Sequence, residues 1–290
     1  MLKKLFLSAL VIIFALLSIA LYRTVTHTAS VDGIIAGEVI VIDEEKASQN
    51  LAASIRFKTI SYQDEEMFPY VEFNNFIKWA AATYPEFHQV MKMDQLEHSL
   101  LFKWQGSDPM LAPILFEGHH DVVPIIPGTE NLWQENPFAG VISNNRIWGR
   151  GALDDKSGVI GLMEAATYLI KSNFKPKRTI YFSFGHDEEV GGSGAALITE
   201  KLRQEGVQLS WSLGEGSFVN KGFFPGINKF IAPINVAEKG STNLMIVATA
   251  KGGHSSTPPE RTAVTILAEA LVKLEKKPLP GSLEGLSAAM

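Results

Sequence analysis

Apolar and polar positions along the chain fall into a few clear periods. An uncharged apolar run covers 5–22, with Lys3 and Lys4 before it and Arg23 after it. Such a run is at the short end of a membrane span and longer than the ~7–15-residue core of a cleaved signal. An uncleaved anchor and a cleaved signal both stay open, with Thr28-Ala29-Ser30 as the small-residue site for cleavage. The positive charges gathered before the run keep the N-terminus cytoplasmic and send the rest across, to a periplasmic, lumenal or extracellular place. Residues 26–43 read as a linker leading into a short strand over 37–42. Helical spacing covers 44–56 and 70–83, with Phe73, Phe76, Ile77 and Ala80 among the apolar positions of the second. From 112 onward, apolar runs at 113–116, 179–184 and 211–213 predict strands, and 159–170 and 193–203 predict helices between them. Near-continuous apolar strands alternating with helices predict an α/β fold, a mostly parallel central sheet with flanking helices. The pattern then changes. Residues 243–250 read as a strand and 262–275 as an amphipathic helix, the start of a smaller α+β unit with little chain left for its own core.

Composition narrows the chemistry. The 290 residues suffice for one large domain or two ordinary ones, and 46% hydrophobic with 20% charged residues is the balance of a chain that buries a core. The net charge of −5 with no basic block argues against a nucleic-acid partner, because phosphate binding needs clustered cations. There is no cysteine, so disulfides, thiolate nucleophiles and Cys-ligated metals are all excluded, and any metal must be held by His, Asp and Glu.

Five clusters carry candidate chemistry. In Gly118-His119-His120-Asp121, residues two apart share a face, so His119 and Asp121 point together and His120 points away. A carboxylate beside a metal-binding His fixes its tautomer, although a strand-end His–Asp hydrogen bond reads the same way. In Trp148-Gly149-Arg150-Gly151-Ala152-Leu153-Asp154-Asp155-Lys156-Ser157-Gly158, the two aspartates precede a helix, so one can cap it while the other binds metal. Gly185-His186-Asp187-Glu188-Glu189-Val190-Gly191-Gly192 leaves a strand directly, and its adjacent carboxylates diverge, so that one can bind a cation and the other act as a general base. A solvated acidic loop is the plain alternative. Leu213-Gly214-Glu215-Gly216-Ser217 and Gly252-Gly253-His254-Ser255-Ser256-Thr257-Pro258-Pro259 are weaker signals. Neither a Gly-x-Ser-x-Gly elbow nor a His-Glu-x-x-His helix is present.

Taken in order, the five clusters resemble the co-catalytic zinc aminoacylase and carboxypeptidase family, in particular its carboxypeptidase S and N-fatty-acyl-amino-acid synthase/hydrolase branch. The resemblance runs from about residue 45 to the end, and IWGRGALDDKSG and FGHDEEVGG carry most of it. It implies two zinc ions. His119 would bind one, oriented by Asp121; Asp154 would bridge both; Glu189 would bind the second; Glu215 would complete the first. Glu188 would be the general base, and His254 would help hold the substrate carbonyl oxygen. It also implies a peptide or N-acyl amino acid substrate, cut at an amide next to a free carboxylate, and a homodimer formed through a lid domain. On this reading 1–25 is a membrane anchor or signal, 26–43 a linker, 44–235 the N-terminal part of the catalytic domain and 236–290 an incomplete lid. Two departures stand out. Gly214 replaces an Asp usual in this branch, and the family's last histidine ligand, far downstream, has no counterpart after His254. The chain therefore reads as an N-terminal portion. A catalytically impaired, membrane-anchored binding protein and a dinuclear phosphoesterase are the competing readings.

Overall fold

The computed structural model describes residues 2–26, 41–223, 225–236, 240, 243–278, 280–282, 284, 285 and 288. It divides into two compact units, 1–46 and 47–290. The first contains α1 (Leu2–Thr26). Its stretch Phe6–Thr26 has 21 residues and a mean hydropathy of 2.2. At ~1.5 Å per residue such a helix extends about 30 Å, the thickness of a hydrocarbon core. By length and composition it is able to cross a membrane, and a signal sequence meets the same description. Residues 27–40, which hold most of the expected linker, the Thr28–Ser30 site and most of the 37–42 strand, lie outside the described residues; 41–43 have no regular structure.

The remaining elements follow in the order α2 (Glu44–Ile55), α3 (Tyr70–Thr83), α4 (Pro85–Val90), β1 (Lys92–Leu96), β2 (Ser99–Trp104), β3 (Ile114–His119), β4 (Val141–Ser143), β5 (Arg146–Trp148), α5 (Lys156–Lys171), β6 (Ile180–Gly185), α6 (Gly194–Gln204), β7 (Trp211–Leu213), β8 (Asn220–Lys221), β9 (Phe230–Ile231) and α7 (Ala263–Lys276). The five-stranded sheet has the order β1-β2-β6-β3-β7. β6, β3 and β7 are parallel, joined by the α5 and α6 crossovers. The β1–β2 hairpin adds two antiparallel strands at one edge. That hairpin escaped the periodicity reading because its turn lacks an Asn-Gly signal; Glu97 adopts the left-handed conformation instead, at φ 54°.

Two cores sandwich the sheet. On one face α3, α4 and α5 contribute Phe76, Phe87 and Met163, which pack on Phe102, Phe182 and Phe184. The expected spacing of α3 is realised, with Phe73, Phe76, Ile77 and Ala80 all buried. On the other face Ile198 and Leu202 of α6 meet Leu101, Leu115 and Tyr181.

The expected strand over 243–250 does not form. A strand needs a neighbour for its backbone groups, and among the described residues none pairs with this mostly exposed segment. The expected helix over 262–275 is present as α7, opened by a Thr262–Thr265 capping box.

Lys156 links the start of α5 to the end of α2. Its side chain is fully buried, donating from Nζ to the carbonyls of Ser54 at 2.9 Å and Phe57 at 2.7 Å. Nζ also lies 5.5 Å from the centre of the Phe76 ring. Burial pulls this ammonium down to about 7. Truncation to Ala would strip both carbonyls of their donor, so Lys156→Ala is expected to cost about 3 kcal/mol or more in chemical denaturation, since each bond to a charged donor contributes ~1.5–3 kcal/mol. A loss below about 1 kcal/mol would show that water replaces the ammonium.

Candidate metal centre

Three neighbouring parallel strands end at one edge of the sheet, β3 at His119, β6 at Gly185 and β7 at Leu213. The loops leaving carboxyl ends of parallel strands are where α/β folds assemble sites. Here they bring His119 Nε2 to 3.0 Å from Asp154 Oδ1, 3.4 Å from Glu215 Oε1 and 3.9 Å from Glu188 Oε2. Donor atoms of His119, Asp154 and Glu215 all lie within 4.8 Å of one another. Donors ~2.0–2.1 Å from a tetrahedral zinc stand about 3.4 Å apart, so the two distances from the imidazole fit a metal of that kind. One nitrogen and two carboxylate oxygens also form a suitable donor set for it.

The other imidazole nitrogen is engaged elsewhere. His119 Nδ1 lies 3.2 Å from both Asp121 Oδ1 and the Asp121 carbonyl oxygen. A proton held there leaves the Nε2 lone pair aimed at the donor group. His120 points the opposite way, as alternation predicts, and stacks on Phe76 at 4.9 Å with an 11° interplanar angle. Burial keeps it neutral. Asp121 is fully buried. It also accepts hydrogen bonds from Ser61 Oγ at 2.6 Å, Glu188 N at 3.2 Å and Glu189 N at 3.1 Å.

The aspartate pair divides its work. Asp155 caps α5 by accepting from Gly158 N at 3.2 Å, and it accepts from His119 N at 3.3 Å. Its carboxylate reaches the strand end because residue 118 is glycine: a Cβ there would stand 2.6 Å from Asp155 Oδ2. Asp154 is left for the donor group. Asp187 in turn accepts from Ser193 N at 2.6 Å and Gly194 N at 2.9 Å, tying the 186–193 loop to the start of α6.

The charge balance favours a cation. Burial works against a charged His119, yet its hydrogen bond with Asp121 and the charges of Asp121, Glu215 and Asp155 push its pKa up to about 10. Burial, reinforced by Asp155, Asp154 and Glu188, raises Glu215 to about 7. Burial likewise raises Asp155 to about 6 and lifts Glu189 above the usual range. Asp121 goes the other way: burial would raise it, but hydrogen bonds from His119 and Ser61 outweigh burial and lower it. Above the group lies a cavity of about 750 Å³, lined among others by His119, Glu188, Glu215, Glu117, Ser183 and Asn235.

Not every expected residue joins the group. Glu189 lies in the field of Asp154 and His119 but is not one of the three gathered donors. His254 is exposed, with Nδ1 2.8 Å from Ser256 Oγ in its own loop. It stands outside the donor group. Gly214 costs the group nothing, because a side chain at 214 would face Glu117, with its Cβ 3.2 Å from Glu117 Cγ, while Glu215 reaches His119. The sequence reading missed Ser61, an isolated hydroxyl between Ile60 and Tyr62 with no motif around it. Only backbone pairing of 59–61 with 120–122 brings it to Asp121.

The family described as "Peptidase family M20/M25/M40" matches residues 115–287. "Probable carboxypeptidase S-like 2" of Dictyostelium discoideum is 38% identical over 243 residues, covering 82% of this chain and 46% of that protein. The N-fatty-acyl-amino acid synthase/hydrolase of Mus musculus is 39% identical over 250 residues, covering 84% of this chain and 49% of its own. The chain thus spans about half the length of these curated relatives. A solved M20 family metallo-carboxypeptidase from Sulfolobus solfataricus shares the fold, with a TM-score of 0.50 and 20% identity over 61% of this chain and 38% of that one.

A metal at this centre needs neutral His119 and ionised Glu215. Zinc binding, followed by calorimetry in buffers of different ionisation enthalpy, is therefore expected to release about two protons at pH 6 and about one at pH 8.5, so that affinity rises with pH. Binding at pH 6 without proton release would contradict this electrostatic picture.

Proposed function

The chain belongs to the peptidase family M20/M25/M40, and from that membership we propose that it acts as a zinc-dependent hydrolase of amide or peptide bonds next to a free carboxylate. The supporting observation is the joint placement of Asp154, Glu215 and a further carboxylate, Glu188, around the Nε2 edge of His119. The names of the relatives support a peptide or an N-acyl amino acid as substrate.

In this reading His119, Asp154 and Glu215 would hold one zinc, and Asp154 and Glu189 would hold a second. Bound zinc supplies a water of lowered pKa and polarises the scissile carbonyl. Glu188 takes up the proton of the attacking water on its carboxylate and returns it to the leaving nitrogen. The position of Glu188 suits that exchange: its side chain is 55% exposed toward the cavity side while its backbone N–H is anchored on buried Asp121. Asp121 acts through His119, holding the ring so that Nε2 faces the donors. His254, carried on an exposed loop, would reach the carbonyl oxygen from the lid of a homodimer. Residues 44–235 would form the N-terminal part of the catalytic domain, 236–290 part of the lid, 26–43 a linker, and 1–25 an anchor or signal that places the catalytic part outside the cytoplasm.

Three outcomes test this in the full-length protein. Hydrolysis of an N-acyl amino acid or a short peptide should stop on chelation and return with zinc; hydrolysis unaffected by chelation would leave only a binding role for the cluster. Glu188→Ala should retain zinc by mass spectrometry but lose about 10²–10⁴-fold in kcat, the range for a general base. Turnover retained in that variant would remove Glu188 from the role. His254→Ala should lower kcat far more than it raises KM, and a pure KM effect would make His254 a binding contact only.

A further inference from the structure

We propose that Ser61 is a positioning residue of the metal centre, acting through Asp121 on both His119 and the Glu188–Glu189 loop. This rests on the metal-binding reading above. A carboxylate offers about four acceptor positions. In Asp121 all four are taken: Oδ1 accepts from His119 Nδ1 and Glu188 N at 3.2 Å each, and Oδ2 accepts from Ser61 Oγ at 2.6 Å and Glu189 N at 3.1 Å. The shortest of these is the serine bond. It is also the one whose donor belongs neither to the strand-end loop nor to the acidic loop.

Ser61 is itself held firmly. Ser61 N donates to the Val122 carbonyl at 3.3 Å, and Val122 N donates to the Thr59 carbonyl at 2.9 Å. Thr59 Oγ1 donates to the His120 carbonyl at 2.5 Å. Residues 59–61 therefore brace 120–122 from a separate segment of chain. Ser61 is only 1% exposed, so bulk solvent does not reach the hydroxyl. Removing it leaves Oδ2 with a single donor in a buried site, a condition that costs far more than the loss of a solvated bond. The carboxylate plane is then free to turn, and two things turn with it: the imidazole that presents Nε2, and the backbone that presents Glu188. Ser61 does not line the cavity, so substrate binding does not depend on it.

The test uses the full-length protein and four forms at position 61. Zinc affinity is measured by competition with a chromophoric chelator, kcat and KM on an N-acyl amino acid or peptide, and the melting temperature on the zinc-free protein. Ser61→Ala should weaken zinc binding about tenfold and lower kcat about tenfold with KM unchanged within about twofold, the scale seen when an outer hydrogen bond to a ligand is lost. Ser61→Thr, which keeps the hydroxyl, should recover to within about threefold, and Ser61→Cys, a weak donor, should fall between. If Ser61→Ala fails to fold, the order of Thr over Cys decides. Ser61→Ala added to Asp121→Asn should do nothing further, because the serine acts only through that carboxylate. A lowered melting temperature with unchanged affinity and kcat would overturn the proposal, as would full additivity with Asp121→Asn. A wild type that binds no zinc would instead overturn the metal-binding reading, and this inference with it.

Discussion

One buried carboxylate governs the geometry of this protein's site. Asp121 leaves the end of β3 and receives hydrogen bonds from three separate stretches of chain: the imidazole of its own loop, the hydroxyl of Ser61, and the two N–H groups that open the turn Glu188–Val190. A charge buried this deeply is tolerated only when its acceptor positions are filled. Filling them fixes His119, the acidic loop and the 59–61 brace relative to one another. The parallel strands bring these loops to one edge of the sheet, but a sheet edge locates a loop only to within a few ångströms. The shared carboxylate removes the remaining freedom.

The same edge concentrates negative charge. Asp154, Asp155, Glu188, Glu189 and Glu215 act on a single imidazole, and burial, with neighbouring carboxylates adding to it, raises the pKa values of Glu215, Asp155 and Glu189. Two of the aspartates at this edge are used structurally, Asp155 at the start of α5 and Asp187 at the start of α6, where unpaired N–H groups favour an anion. Asp154, Glu188 and Glu215 instead face the imidazole of His119. A divalent cation answers that excess, which is the physical sense of the donor group and accords with membership of the peptidase family M20/M25/M40. The cavity of about 750 Å³ beside it falls within the ~300–1,000 Å³ range of ligand-binding clefts.

Much of this was legible along the chain, and the reason differs from element to element. α3, α5 and α6 show in their spacing because one face of each meets a core. β3 and β6 show because strands covered on both faces open on continuous apolar runs, Ile114–Phe116 and Ile180–Phe182. The β1–β2 hairpin did not show: Lys92, Asp94 and Gln95 lie on a half-exposed edge strand, and its turn has no glycine. The 243–250 segment has the composition of a strand, but composition does not supply a neighbour. Within the site, alternation correctly placed His119 with Asp121 and turned His120 into the core. Adjacent Glu188 and Glu189 were expected to diverge, yet which of them approaches His119 depends on a single turn of helix that no period describes.

The sequence alone thus determined the apolar N-terminal helix, the α/β alternation, the exclusion of cysteine chemistry and the order of the His, Asp and Glu clusters. These follow from local periodicity and residue type, which need no knowledge of distant contacts. Only the tertiary structure decided that Asp155 caps while Asp154 faces the donors, that position 214 points at Glu117 and not at the centre, and that Ser61, 60 residues before Asp121, completes its shell. Each of these depends on a close approach between segments far apart in the chain. Such approaches are set by how the strands and helices pack, and a linear pattern holds no record of them.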